Sequence, residues 1–345
     1  MRAASLFPSP MNLPHLSRPL PAVLLASAIS LGLHARGADF SFKDTPGDHL
    51  DILSAGKIVG RYMYAHDVSS PERRVETFKP WLHVFDAEGA GPITKGPGGE
   101  FPHHRGIFLG WNKMTVAGKG YDRWHMKGGD QVHEKFAAQK AGAEGASFTS
   151  LVRWMGGTPD ATLIEEERTM AFLPPPAPAY TLVDVVSRMK AVGGETVLGG
   201  DPEHAGLQFR PANEVSRADT VYLYPGEKAE PHKDRDYPWF GESFTLAGKR
   251  YSVVYLNHPA NPKDARISAY RNYGRFGAFF KTTIPAGETA TFRARFVVQS
   301  GALPAAETIQ KWWNEYAGAA EPVPQTTAKP AEQPKPKAAA PAAKP

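Results

Sequence analysis

Two histidines and an arginine stand together at 103–105, where the run FPHHRGIFLGW (residues 101–111) leaves a Gly-rich loop for an apolar strand. Imidazole both takes and gives a proton near neutral pH, and a guanidinium beside it adds a fixed charge with a planar fork of donors. His103, His104 and Arg105 therefore read as acid–base chemistry beside a holder for an anion or a developing oxyanion. His258 is a second candidate for proton exchange, presented by the double-Pro turn NHPANP (residues 257–262) with Asn257 next to it. Successive strand residues face opposite ways, so one of His103 and His104 is expected to face a given cleft.

Two further stretches carry the residue types that bind sugars. The segment YDRWHMKGGDQVH (residues 121–133) combines aromatic faces with amphoteric donors and acceptors, which suits a ligand that stacks through C–H faces and is held through hydroxyls. Trp124, His125 and His133, with Trp111 just upstream, are the candidate contacts there. In HAGLQFR (residues 204–210) a regular strand would put His204, Gly206, Gln208 and Arg210 on one face, lining a groove with a base, an amide and a cation. Metal chemistry has no such pattern. His133-Glu134 lacks the second His of HExxH, and no His-x-acid pair has an obvious third ligand, so no metal and no cofactor is expected. Neither a P-loop, a dinucleotide fingerprint after a strand, nor a GxSxG elbow is present.

Strands must position these residues, because the dominant hydrophobic period is two. In TATFRARFVVQ (residues 289–299) Ala290, Phe292, Ala294, Phe296 and Val298 alternate with Thr291, Arg293 and Arg295. Comparable runs at 58–64, 81–86, 147–154, 161–172, 179–190, 219–224, 249–256 and 275–283 are separated by Gly- and Pro-rich turns. The expected fold is all-β, a large antiparallel sandwich. One helix is legible near 304–316, where Ile309, Trp312, Trp313 and Tyr316 fall on one stripe, with both Trp as core anchors. No internal repeat or linker divides residues 38–317, which read as one domain.

Composition narrows the function classes. The 345 residues carry a net charge of +5, but three Arg without an acid lie in residues 1–37, and four Lys against two Glu lie in 318–345. The stretch between is neutral, which gives no electrostatic case for nucleic acid. With no Cys, disulfides, thiolate metal sites and cysteine nucleophiles drop out. Arg2 and Arg18 precede an apolar run at 20–33 and a small-residue stretch ending at Gly37, the pattern of a secretory signal peptide, with Met11 as an alternative start. A periplasmic or secreted protein without a membrane span after cleavage is expected. Residues 318–345, rich in Pro, Ala and Lys, read as a disordered tether able to touch anionic surfaces weakly.

The segments PHHRGIFLGW, WHMKGGDQVHE (residues 124–134), HAGLQFR, NHPANP, YGRFGAFF and AGETATFRARFVV resemble the bacterial PmoA-like family. Its members are secreted proteins labelled "methane oxygenase PmoA" and otherwise a domain of unknown function. The resemblance implies a β supersandwich of the galactose-mutarotase type, with the His and Arg side chains in a sugar-sized groove. The expected function is carbohydrate-active, as a sugar epimerase, lyase or hydrolase. In it His104, with His103 or His258, exchanges protons, and Arg105 or Arg210 holds an anionic group. The partner would be a small-molecule or oligosaccharide substrate. The alternatives are a non-catalytic sugar-binding module and a His-metal oxidoreductase, as the family label suggests. A membrane oxygenase subunit would need several apolar spans, and no later segment of this sequence is apolar and long enough.

Overall fold

The protein is described by a computed structural model covering residues 39–157 and 161–333, so the expected signal peptide and residues 334–345 lie outside the described residues. Antiparallel strands make up the body of the fold. An eight-stranded sheet runs in the order Phe40–Thr45, His49–Ser54, Lys57–Met63, Trp81–Val84, Ile107–Trp111, Ala205–Phe209, Phe276–Phe279, Arg266–Ala269. A nine-stranded sheet runs Thr326–Pro330, Val221–Pro225, Trp239–Leu246, Lys249–Asn257, Thr289–Ser300, Thr181–Ala191, Thr162–Leu173, Gly145–Met155, Gln131–Gly142. A small four-stranded sheet sits beside them, and among the described residues every strand pair in all three sheets is antiparallel.

Alternation explains how the two large sheets face each other. Ile107, Leu109 and Trp111 point into the shared core with Leu207 and Phe209 from the neighbouring strand. Trp111 meets Trp154 and Phe292 of the opposite sheet at ring-centre distances of 6.0 and 5.6 Å. The intervening residue Phe108 points the other way, into a separate apolar cluster with Trp81 and Trp124 on the outer face of the eight-stranded sheet. That outer face matters for function.

The nine-stranded sheet also buries its outer side, here under the helix Ala306–Ala317. Ile309, Trp312 and Trp313 pack on Leu182, Trp239, Val254, Leu256 and Val297, so the expected apolar stripe and the role of its two Trp as core anchors are what the structure has. Gly318 closes the helix in the left-handed conformation, its N–H donating to Asn314 O.

One expectation needs correcting. The segment read as an unstructured tether from residue 318 onward forms the strand Thr326–Pro330, which pairs with Val221–Pro225. Beyond it, Ala331 N donates to Thr220 O and Glu332 N to Tyr270 O, at 2.9 and 2.8 Å. The composition argument fails here because this segment builds no core of its own and instead satisfies its backbone on an existing sheet edge. Several other strands were also not anticipated, Gln131–Gly142 among them, because an edge strand exposed along most of its length carries no apolar alternation.

Candidate functional site

Four loops converge on the outer face of the central strands Ile107–Trp111, Ala205–Phe209 and Phe276–Phe279. They are residues 96–106, 122–130, 200–204 and 270–275. Trp124 is their common floor. It lies over Gly110, where a Cβ would overlap the Arg123 carbonyl oxygen, so only glycine lets the 122–130 loop approach this closely. Lys79 fixes the same loop from below, its Nζ donating to Trp124 O at 2.9 Å.

Histidines from three of these loops meet above Trp124. The His103 ring centre lies 4.4 Å from those of both His104 and His125, and His125 lies 5.4 Å from His204. Trp124 contacts His104 and His204 edge-on at 5.6 and 6.2 Å. His103, His125 and His204 keep partial exposure, whereas His104 is buried beneath them against Phe101, Phe108 and Tyr273.

Two carboxylates not anticipated from the sequence orient this group. Asp122 Oδ2 lies 2.8 Å from His125 Nδ1, and Asp201 Oδ1 lies 2.8 Å from His204 Nδ1. Burial would raise the Asp122 carboxyl, but hydrogen bonds from the His125 side chain and from the His125 and Trp124 backbone N–H groups outweigh it, holding it down to about 2. Asp201 is likewise lowered, because bonds from His204, Asn112 and Glu203 N–H outweigh its burial. An ionised carboxylate can only accept, so Nδ1 carries the hydrogen in both rings and Nε2 is left to face a ligand. The signal was present in the sequence as the same Asp-x-x-His spacing at 122–125 and 201–204. A turn brings residues three apart into hydrogen-bond reach.

His103 is pushed down to about 2, first by burial and then by Lys79, His125, His204 and Arg105. His104 is pushed well below its ordinary value, by burial and then Arg275, His103, Arg210 and Lys79. Both imidazoles are therefore neutral at neutral pH. On the rim, Glu203 accepts from Arg271 and from Tyr270 Oη, the latter at 3.3 Å. Phe101 and Tyr273 form a partly exposed aromatic wall 4.9 Å apart. Gln208 lies in the floor, accepting from Arg275 at 3.1 Å.

The other expected site residues lie elsewhere or serve differently. Arg105 is buried between Phe78 and Trp81 and donates to the carbonyls of Pro102, His104 and Val75. Arg210 is buried over Tyr273 and donates to the carbonyls of Pro211 and Tyr273 and to Asn213. Neither guanidinium presents its fork to a ligand, because loop carbonyls need the donors. Trp111 is a core residue whose Nε1 donates to Phe280 O at 2.9 Å. Trp124 is fully buried, which makes it a floor and removes a stacking face. His133 packs among Tyr64 and Phe136 with Nδ1 2.6 Å from Ser150 Oγ. His258 stands against Tyr316 of the C-terminal helix, and Asn257 bonds Asn261, on the outer side of the other sheet. Distant strand pairing decided these placements. Among the described residues, no group of three or more His, Asp or Glu side chains is arranged to hold a metal ion.

Among solved structures, a protein described as a kojibiose phosphorylase, from human microbiome, is similar at 6% identity and TM-score 0.34, over 75% of this chain and 32% of its own. This chain thus spans about a third of that protein's length. A protein described as an aldose 1-epimerase, from Escherichia coli K12, is similar at 12% identity and TM-score 0.31, over 77% of this chain and 100% of its own. A protein described as a mutarotase, from Salmonella typhimurium, is similar at 8% identity and TM-score 0.33, over 76% of this chain and 94% of its own. No curated protein matches the sequence. A family model does match, over residues 49–314, and on that span the chain belongs to the Family of unknown function (DUF6807).

Proposed function

We propose that the His103–His125–His204 cluster is a carbohydrate site that works by imidazole acid–base chemistry. The observation that carries the reading is the pair of Asp-oriented imidazoles, His125 with Asp122 and His204 with Asp201, facing a third, neutral imidazole across a few ångströms. In such an arrangement one Nε2 removes a proton from a sugar hydroxyl or activated C–H group. A second, protonated Nε2 returns one to the oxygen on the other side of the reacting carbon, with no net proton gained or lost. The carboxylates fix each ring's tautomer and stabilise the imidazolium formed in between. Phe101 and Tyr273 give a sugar's apolar face a wall. The resemblance of PHHRGIFLGW and its companion segments to the PmoA-like family supports the same reading. We also propose export from the cytoplasm, on the strength of the apolar run at 20–33; N-terminal sequencing of the mature protein should find residue 38 or a close neighbour first.

The test is a thermal-shift screen of the full chain against hexoses, pentoses, uronates and sugar phosphates, followed by NMR of each hit in D2O with the protein present. At a hundredfold excess over the dissociation constant, a ligand should stabilise the fold by about 2.7 kcal/mol. Anomer or epimer interconversion, bond cleavage or deuterium incorporation should then appear with the wild type and fall at least tenfold in His125→Asn and His204→Asn. A hit bound but chemically unchanged would make the site a binding module. Absence of any sugar-dependent shift would sink the proposal.

A further inference from the structure

Beneath the histidines lies a set of cations that the proton-transfer scheme leaves unused. Arg105, Arg210 and Arg275 are each at most 1% exposed and lie over the rings of Trp81, Tyr273 and Trp124 respectively, while burial pulls two equally buried amines, Lys79 and Lys95, toward their neutral forms, Lys95 down to about 7. Their hydrogen-bond partners are neutral. Lys79 donates to Trp124 O, Lys95 to the carbonyls of Gly96 and Gly98, Arg105 and Arg210 to loop carbonyls, and Arg275 to Gln208 Oε1. Among the described residues none of the five has a carboxylate within ion-pair distance, whereas buried Arg168, by contrast, bonds Glu166 directly. Glu242, the acid beside Arg210, is itself fully buried, and burial pushes its carboxyl well up against the pull of Arg210, which favours the neutral acid.

Buried charges without counter-ions are costly, and carbonyl bonds offset only part of that cost. What they supply in return is a positive potential, only weakly screened where water is excluded. The potential reaches the site, since after burial Arg105 is among the charges that depress His103, and Arg275 and Arg210 are among those that depress His104. Five buried nitrogens there, Arg105 Nε, Arg210 Nε, Arg275 Nε, His104 Nδ1 and Trp124 Nε1, have no partner. Arg105 and Arg210 also serve as loop anchors. Arg275, with one neutral amide and the Trp124 ring 5.6 Å away, does not.

We infer that the site takes an anionic sugar, charged through a carboxylate or a phosphate, and that these buried arginines, Arg275 first, select it over the neutral sugar. The inference rests on the carbohydrate reading of the His cluster and names its substrate class. In the field of these arginines an enolate or alkoxide developing on the sugar is stabilised as well.

Isothermal titration of the full chain with glucose, glucuronate and glucose 6-phosphate tests it without relying on any variant. At least tenfold tighter binding of one charged sugar than of glucose is expected, and which of the two wins identifies the charged group. Arg275→Gln should reduce that preference to less than threefold while leaving any glucose binding in place. If that variant fails to fold, Arg275→Met, which keeps most of the side chain's length without its charge, should cut the same preference several-fold. Equal binding of all three sugars would overturn the inference and leave the carbohydrate site standing. A preference undiminished in the folded variants would remove the buried arginines as its cause. If none of these sugars nor any in the wider screen bound, the carbohydrate reading would fall, and this inference with it.

Discussion

Arg123 shows how one side chain can hold a site together without touching a ligand. Its guanidinium donates to the carbonyls of Met155, Asp122, Lys127 and Gly128, through all three of its nitrogens. These bonds close the 122–130 loop on itself and on the nine-stranded sheet, which fixes Asp122 and, through it, His125. Lysine has the charge but not the planar fork, so Arg123→Lys should strand several buried carbonyls. We expect a loss of about 3 kcal/mol in urea unfolding, together with weakened binding of any sugar found in the screen. Unchanged stability would show that the loop is held by other contacts. The same division between anchoring and function separates Arg105 and Arg210, used up on carbonyls, from the Asp-paired imidazoles.

At the scale of elements, the central strands of the eight-stranded sheet are shaped by glycine. Gly206 has φ +89°, and a Cβ there would overlap Ala278 O in the neighbouring strand. Gly206→Ala should cost about 3 kcal/mol, while Gly120→Ala, with nothing within 4 Å, should change stability by less than about 0.5 kcal/mol. Similar values for the two would refute the close-approach argument. The strand Thr326–Pro330 covers the edge of Val221–Pro225, and Glu332 and Gln333 then reach Tyr270 and Asn272 beside the site. Deleting residues 319–345 should lower Tm by about 5 °C and expose a pairing edge. Differential scanning calorimetry and size-exclusion chromatography would show both effects, and a monomer of unchanged Tm would contradict them.

For the molecule as a whole, buried histidines tie stability to pH. His83 is pushed down to about 4, by burial and then Arg61 and Arg105; His133 also falls to about 4 and His103 to about 2. An imidazole whose folded value lies below the ordinary 6.5 binds fewer protons folded than unfolded. Its stabilisation is therefore complete above pH 6.5 and is lost as the pH falls below it. Urea midpoints should drop from pH 7 to pH 4.5, and His83→Gln should remove about 1.4 kcal/mol per pH unit of that slope. A flat profile over this interval would mean that these rings are protonated in the folded protein.

The sequence alone determined what depends on near neighbours. Alternation in 289–299 and the Ile309, Trp312, Trp313 stripe specify a strand and a helix because side-chain direction repeats every two or 3.6 residues. The loop histidines at 103, 104, 125 and 204 were legible as chemistry for the same local reason, and the Asp-x-x-His spacing was there to be read. Which histidines meet was decided by the tertiary structure. His103, His125 and His204 come together because Ile107–Trp111 pairs with Ala205–Phe209 and the Trp124 loop lies over Gly110, while His133 lies in a strand of the other sheet and His258 directly follows one. The fates of the arginines were settled the same way. Whether a guanidinium meets a ligand, a carboxylate or a ring of carbonyls depends on groups remote in the chain, and only long-range strand pairing sets those distances.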